Sequence, residues 1–174
     1  TYGDMEISEY SPSFVAETLV ESDFDGASNM AFRTLFIFID GENNNSYKIE
    51  MTAPVSQVSD SQKIAMTAPV SQEAADAGWL VSFMMPASFT METIPEPTNQ
   101  DVRIRQIPGY RAAAIRYSGT WSEKNYKKHH DQLLDWLDVH GLRVAGPSVW
   151  ARYNAPFTPW FMRRNEILIR IEHD

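Results

Sequence analysis

The chain contains no cysteine. Disulfides, thiolate metal sites and a cysteine nucleophile are thereby excluded together. Nowhere do about 18 consecutive apolar residues occur, so no membrane-crossing helix is encoded. The first residues lack the basic-then-apolar pattern of a signal peptide, yet the chain starts at Thr1 rather than Met. The sequence leaves the compartment open: cytoplasmic, or exported or periplasmic if a leader was removed before Thr1. No histidine precedes His129, no serine sits in a Gly-x-Ser-x-Gly elbow, and no glycine-rich phosphate loop is present. Basic runs are missing too: Lys127-Lys128 and Arg163-Arg164 are isolated pairs in a chain of formal charge −8. Such a surface repels phosphate backbones, so nucleic acid is not an expected partner.

What remains is the composition of an ordinary globular protein. The chain has 174 residues, 43% hydrophobic and 22% charged, enough for one core and one domain over residues 1–174. Its most conspicuous feature is a duplication. Lys48-Ile-Glu-Met-Thr-Ala-Pro-Val-Ser-Gln57 returns as Lys63-Ile-Ala-Met-Thr-Ala-Pro-Val-Ser-Gln72, altered only at Glu50 against Ala65. An offset of 15 residues is too short for a helical or propeller repeat, and two copies cannot stack into a solenoid. Each copy alternates, with Ile49, Met51, Ala53 and Val55 on one side and Lys48, Glu50 and Thr52 on the other. The reading is a strand written twice, folded as an antiparallel hairpin about Val58-Ser-Asp-Ser-Gln62. Pro54 and Pro69 each remove a ladder donor, which places that end at an edge or a bend.

Periodicity organises the rest. Strands are expected over Met5–Tyr10 and Phe14–Val20, with Ser11-Pro12-Ser13 between them. A helix follows, capped by Ser22 or Asp23, with Phe24, Ala27, Ala31, Leu35 and Phe38 or Ile39 at helical spacing and Gly41 at its end. Strands Trp79–Met85, Val102–Ile107 and Tyr110–Tyr117 precede a second helix, Ser122–His140, whose apolar stripe ends at Gly141. Final strands are expected over Val149–Tyr153 and Glu166–Ile171. The order strand, strand, helix, strands thus occurs twice. A slide of 97 residues lays Ile7 on Ile104, Tyr10 on Ile107 and Ala16 on Ala113. The expected fold class is α+β: two similar halves sharing an antiparallel sheet or open barrel, one helix per half.

Few side chains announce chemistry. His129 and His130 are adjacent and point about 100° apart on a helix, so they cannot chelate one metal as an i, i+4 pair would. His140 suits the helix C-terminus. Met30, Met51, Met66, Met84, Met85 and Met162 read first as core filling, although their plasticity also suits a pocket. The loop Tyr153-Asn-Ala-Pro-Phe-Thr-Pro-Trp-Phe-Met162 stands out, because loops rarely carry Phe157, Trp160 and Phe161 together. It either folds down as a lid or contacts something apolar.

Several pieces, in order, resemble the SOUL/haem-binding protein family over nearly everything from Tyr2 to Ile171. They are Asp40-Gly-Glu-Asn43, the two Met-Thr-Ala-Pro-Val segments, Phe83-Met-Met-Pro86, Ile94-Pro-Glu-Pro97, Tyr153-Asn-Ala-Pro156 and Arg163-Arg-Asn-Glu166. The resemblance implies a distorted antiparallel β-barrel flanked by two helices in two pseudo-symmetric halves. It also implies non-enzymatic binding of haem or another porphyrin, a flat and largely apolar ligand, in a groove between the first helix and the last loop. The family's porphyrin-facing helix positions fall on Asn29, Phe32, Arg33, Phe36 and Ile37. The loop side falls on Phe157, Trp160, Phe161 and Met162. Positions proposed to pair with haem propionates fall on Asn29 and Ile37, which are uncharged, leaving Arg33 or Lys48 as substitutes. A histidine proposed as iron ligand in one branch has no counterpart here, and no metal site is expected. The alternative expectation is a protein-interaction module anchored on residues 157–162, its partner unspecified. A hydrolase on the same scaffold is a third, by fold analogy alone.

Overall fold

The structure, a computed structural model, describes residues 5–21, 24–46, 48–49, 55–59, 78–154 and 157–172. Its elements in order are β1 (Met5–Tyr10), β2 (Ser13–Val20), α1 (Phe24–Ile39), β3 (Val55–Ser59) and β4 (Trp79–Met84). Then come β5 (Arg103–Ile107), β6 (Tyr110–Tyr117), α2 (Glu123–Val139), β7 (Val144–Arg152) and β8 (Asn165–Ile171), with a 3-10 turn at Trp160–Met162. Helix α2 starts where Ser122 turns extended and its hydroxyl accepts the Asn125 N–H. Both helices stop at the expected glycines, which take φ of +118° at Gly41 and +66° at Gly141. The Ser22/Asp23 cap lies outside the described residues.

All eight strands join one antiparallel sheet in the order β1-β6-β8-β7-β3-β4-β2-β5. Exchanging the first four strands with the last four returns the same order reversed, which is the twofold expected of two similar halves. The register agrees. Ile7 pairs with Ala113 and, reciprocally, Ile104 pairs with Ala16, the four residues that the 97-residue slide superposes. Each half therefore lends its first strand to the other.

Both helices lie on one face. Trp150, packed in the α2 cluster, pairs with Gln57, which pairs with Val81 in the α1 cluster. Ala31, Leu35, Phe38 and Ile39 of α1 pack on Ala16, Val81 and Phe83, while Leu133 and Leu137 of α2 pack on Ala113, Ile167 and Ile169. Yet the opposite face is buried as well. Val15, Glu17, Ala112, Ala114 and Leu168 are all at most 5% exposed, although neither helix reaches them.

Short links explain this. Ser11-Pro12 joins β1, at one edge of the sheet, to β2, seventh in order, and Pro108-Gly109 joins β5, at the other edge, to β6, second in order. Three residue steps span at most about 11 Å, whereas six strand spacings in a flat sheet span about 29 Å. The sheet must roll until its edges approach, so its helix-free face becomes an inner wall. Among the described residues β1 and β5 are not paired with each other, so the expected barrel is a rolled sheet without a closed ladder.

Two expectations change. β3 pairs with β4 on one side and β7 on the other, so Val55–Val58 has no free ladder for a hairpin with the second copy. The remainder of the duplication, residues 50–54 and 63–72 with Pro54, Pro69, Met51 and Met66, lies outside the described residues. β7 begins at Val144 rather than Val149, because the stretch containing Gly146-Pro147 is a register shift between Val144 and Ser148 rather than a loop. Proline is tolerated there because a bulge leaves a residue out of the ladder.

Candidate functional site

Helix α1 buries one stripe and exposes another. Phe32 is half-buried, meeting Phe83 edge-on at 5.5 Å and stacking with Phe36 at 6.0 Å. Phe36 and Ile37 remain 44% and 40% exposed, and Met30 59%. Asn29 and Arg33 are exposed on the same helix. Lys48 is engaged by Asp40 at 2.9 Å. Among the described residues Arg33 has no carboxylate partner, so it is the unengaged cation on this side.

The β7–β8 loop presents the second apolar patch. Phe157, Trp160, Phe161 and Met162 are 59–89% exposed, and Trp160 meets Phe161 edge-on at 5.7 Å. Its base, in contrast, is pinned. Gly119 N–H donates to the Trp160 carbonyl at 3.1 Å, Arg163 Nε donates to the Thr158 carbonyl at 2.7 Å, and the Arg163 guanidinium lies 4.2 Å over Trp121. Trp121 Nε1 donates in turn to Asn165 Oδ1 at 2.8 Å. Glu166 ties the two ends together: it accepts from the Tyr153 hydroxyl at 2.6 Å, from Arg164 at 2.6 Å and from Arg116 at 3.0 Å. Burial alone would raise the Glu166 pKa, but the phenol and the two guanidiniums hold it below the usual carboxylate value. Beside the loop, a cleft of about 480 Å³ opens between Trp160 and the start of α2, lined by Thr120, Ser122, Lys124 and Lys128.

Register links the strand β7, which leads into the loop, to the strand β4, on which α1 packs. Arg152, the last residue before the loop's strand ends, pairs with Val55; Val55 pairs with Phe83, whose ring meets Phe32 of α1. The separation across those strands is on the order of 10 Å. The predicted helix and loop residues are thus exposed on both elements, the loop's own contacts being with Gly119 and the start of α2.

Each described histidine has a polar contact. His129 stacks on Tyr117 at 3.9 Å and its Nδ1 donates to the Asn125 carbonyl at 2.7 Å. His140 Nδ1 donates to the Trp136 carbonyl at 2.8 Å. His130 Nε2 lies 2.7 Å from Ser148 Oγ, a contact between elements that the sequence did not disclose. Among the described residues no cluster of three or more metal-ligating side chains occurs. His173 lies outside them.

These features meet in one family. The SOUL heme-binding protein family matches residues 1–170, and the chain belongs to it. Heme-binding protein 2 of Homo sapiens is 27% identical over 176 residues, covering 94% of this chain and 80% of the human protein. The fold is shared more widely. The C-terminal domain of EcmrR has a TM-score of 0.73 at 10% identity, covering 98% of both chains. A hydrolase from Listeria innocua has a TM-score of 0.65 at 11% identity, covering 98% of this chain and 94% of its own. At such identities the two structures are similar in fold alone.

Proposed function

We propose that this protein binds haem or a related tetrapyrrole, without transforming it, in a groove between α1 and the 157–162 loop. The observation that carries this reading is the pair of exposed apolar surfaces on α1 and the loop. Phe36 and Ile37 supply one side, and Phe157, Trp160, Phe161 and Met162 the other. Soluble proteins rarely leave such surfaces uncovered unless something apolar is to cover them. The family and its human relative's name support a haem-class ligand.

The polar residues suit a porphyrin edge. Arg33 is free to take one carboxylate as a charge-assisted pair, while Asn29 offers only a neutral amide. None of the nine residues is a histidine, so affinity would come from burying the ring, at about 25 cal/mol per Å² of apolar area. Phe32, half-buried and braced by Phe83, would form the floor.

A second reading has its own observation. The loop has a rigid base and uncovered aromatic tips, the arrangement of a protein-binding anchor. Hydrolysis is less well supported: Ser148 touches His130, but its side chain is buried and also hydrogen-bonded to Tyr126, out of a substrate's reach. The test is the absorbance of protein purified from haem-supplemented cells. A stoichiometric Soret band supports the groove, whereas colourless protein that captures a partner through Trp160 supports the anchor.

A further inference from the structure

The inner wall of the rolled sheet is lined with charged side chains. Strand alternation and the observed register put Arg103, Arg105, Arg116 and Arg170 on this face, with Glu6, Glu17 and Glu166. Arg164, just before β8, joins them through its contact with Glu166, and Asp101 faces the same wall beside Glu17 and Arg103. Four of these arginines are accounted for. Arg103 and Arg105 hold the wholly buried Glu17 at 2.6 and 2.8 Å. Arg116 and Arg164 hold Glu166 at 3.0 and 2.6 Å.

Arg170 is different. Among the described residues it has neither an ion pair nor a hydrogen bond; its one specific contact is with Tyr110, whose ring centre lies 4.3 Å from the guanidinium carbon. Tyr110 is itself stacked on Tyr10 at 5.0 Å, so the guanidinium rests on a fixed aromatic platform. Its aliphatic stem is seated too. Gly146, in the β7 bulge, has no side chain, and a Cβ there would come within 3.2 Å of Arg170 Cδ and 3.4 Å of its Cβ. Burial depresses the Arg170 pKa, and the nearby Arg105 charge depresses it further, against the opposing effect of Tyr110. A half-buried guanidinium with five donors and no acceptor is costly unless an anion completes it.

We propose that Arg170 is the anchor of a second binding site, on the inner wall, for the oxyanion group of a small ligand, a carboxylate or a phosphate. Guanidinium forks bind both groups in bidentate fashion. The site lies on the face opposite α1, so it stands or falls independently of haem binding.

The experiment is titration of the whole chain with sodium phosphate and, separately, sodium benzoate at constant ionic strength, read from the Arg170 Nε–Hε NMR signal. Saturable binding of either anion is expected, the phosphate and benzoate arms telling a phosphate site from a carboxylate site. Arg170→Gln should abolish it, and Arg170→Lys should weaken it about tenfold. An identical response in wild type and Arg170→Gln, or none to either anion, overturns the proposal, as does one that any salt reproduces, the mark of an adventitious ion only. Should Arg170→Gln fail to fold, Gly146→Val keeps the charge but displaces the stem; it should also weaken binding, and unchanged affinity in that variant would overturn the site.

Discussion

Phe32 and Phe36, one turn apart on α1, stack at 6.0 Å with one ring held against Phe83 and the other 44% exposed. The exposed ring is the half of this pair that a ligand would cover. Replacing Phe36 with Asp should leave the fold intact and weaken haem binding about tenfold, since covering the ring is worth on the order of 1 kcal/mol and the carboxylate would repel propionates. Haem titration of the variant checks this, and an unchanged affinity would refute the α1 side of the groove.

Trp160 tests the other side. Its side chain is 59% exposed, so Trp160→Ala should change stability by no more than about 0.5 kcal/mol. Haem affinity should nevertheless fall. If affinity is kept while capture of a protein partner is lost, the loop is an anchor for proteins rather than a wall of the groove.

Glu166 should govern acid stability. Its pKa is held down in the folded state, so its contribution is complete above the unfolded carboxylate value of about 4.3 and is lost as pH falls through the lower folded value. Glu166→Gln should therefore melt below wild type at pH 7, with the difference narrowing below about pH 4.5. Parallel melting curves across that range would show that the carboxylate is not ionised in the way described.

Glu17 is wholly buried between Arg103 and Arg105. The arginines are 69% and 42% exposed, so Glu17→Ala strands no buried charge; losing its charge-assisted contacts should cost about 1–2 kcal/mol and lower Tm by roughly 4 °C. Calorimetry decides it. A shift of under about 2 °C, below the roughly 2–4 °C expected per kcal/mol at this size, would mean that the arginines re-solvate through the open side of the wall.

Local pattern made much of this fold legible, and distance hid the rest. Both helices and most strands follow from periodicity and glycine stops, and the two halves from an offset of 97 residues. β7 extends further than its alternation predicts, because Gly146-Pro147 has the composition of a turn and the structure uses it as a bulge. The duplication misled for a related reason. Alternation identifies a strand but not its neighbours, and the neighbours of β3 are β4 and β7. The inner wall was invisible. Glu17 meets arginines 86 and 88 positions away, and only strand register brings them together. A single acid inside the apolar run Phe14–Val20 was the available signal. On the candidate site, the residues themselves mark the aromatic loop, the family resemblance supplies the α1 positions, and neither discloses the pinned loop base, which depends on Trp121, Asn165 and Glu166 meeting across the sheet.

The most direct measurement is titration of haem into the purified chain at micromolar concentration, followed in the Soret region. The account predicts a saturable red shift at one haem per chain, weakened in both Phe36→Asp and Trp160→Ala. An unshifted Soret band through the titration, or equal binding by wild type and the double variant, would contradict it.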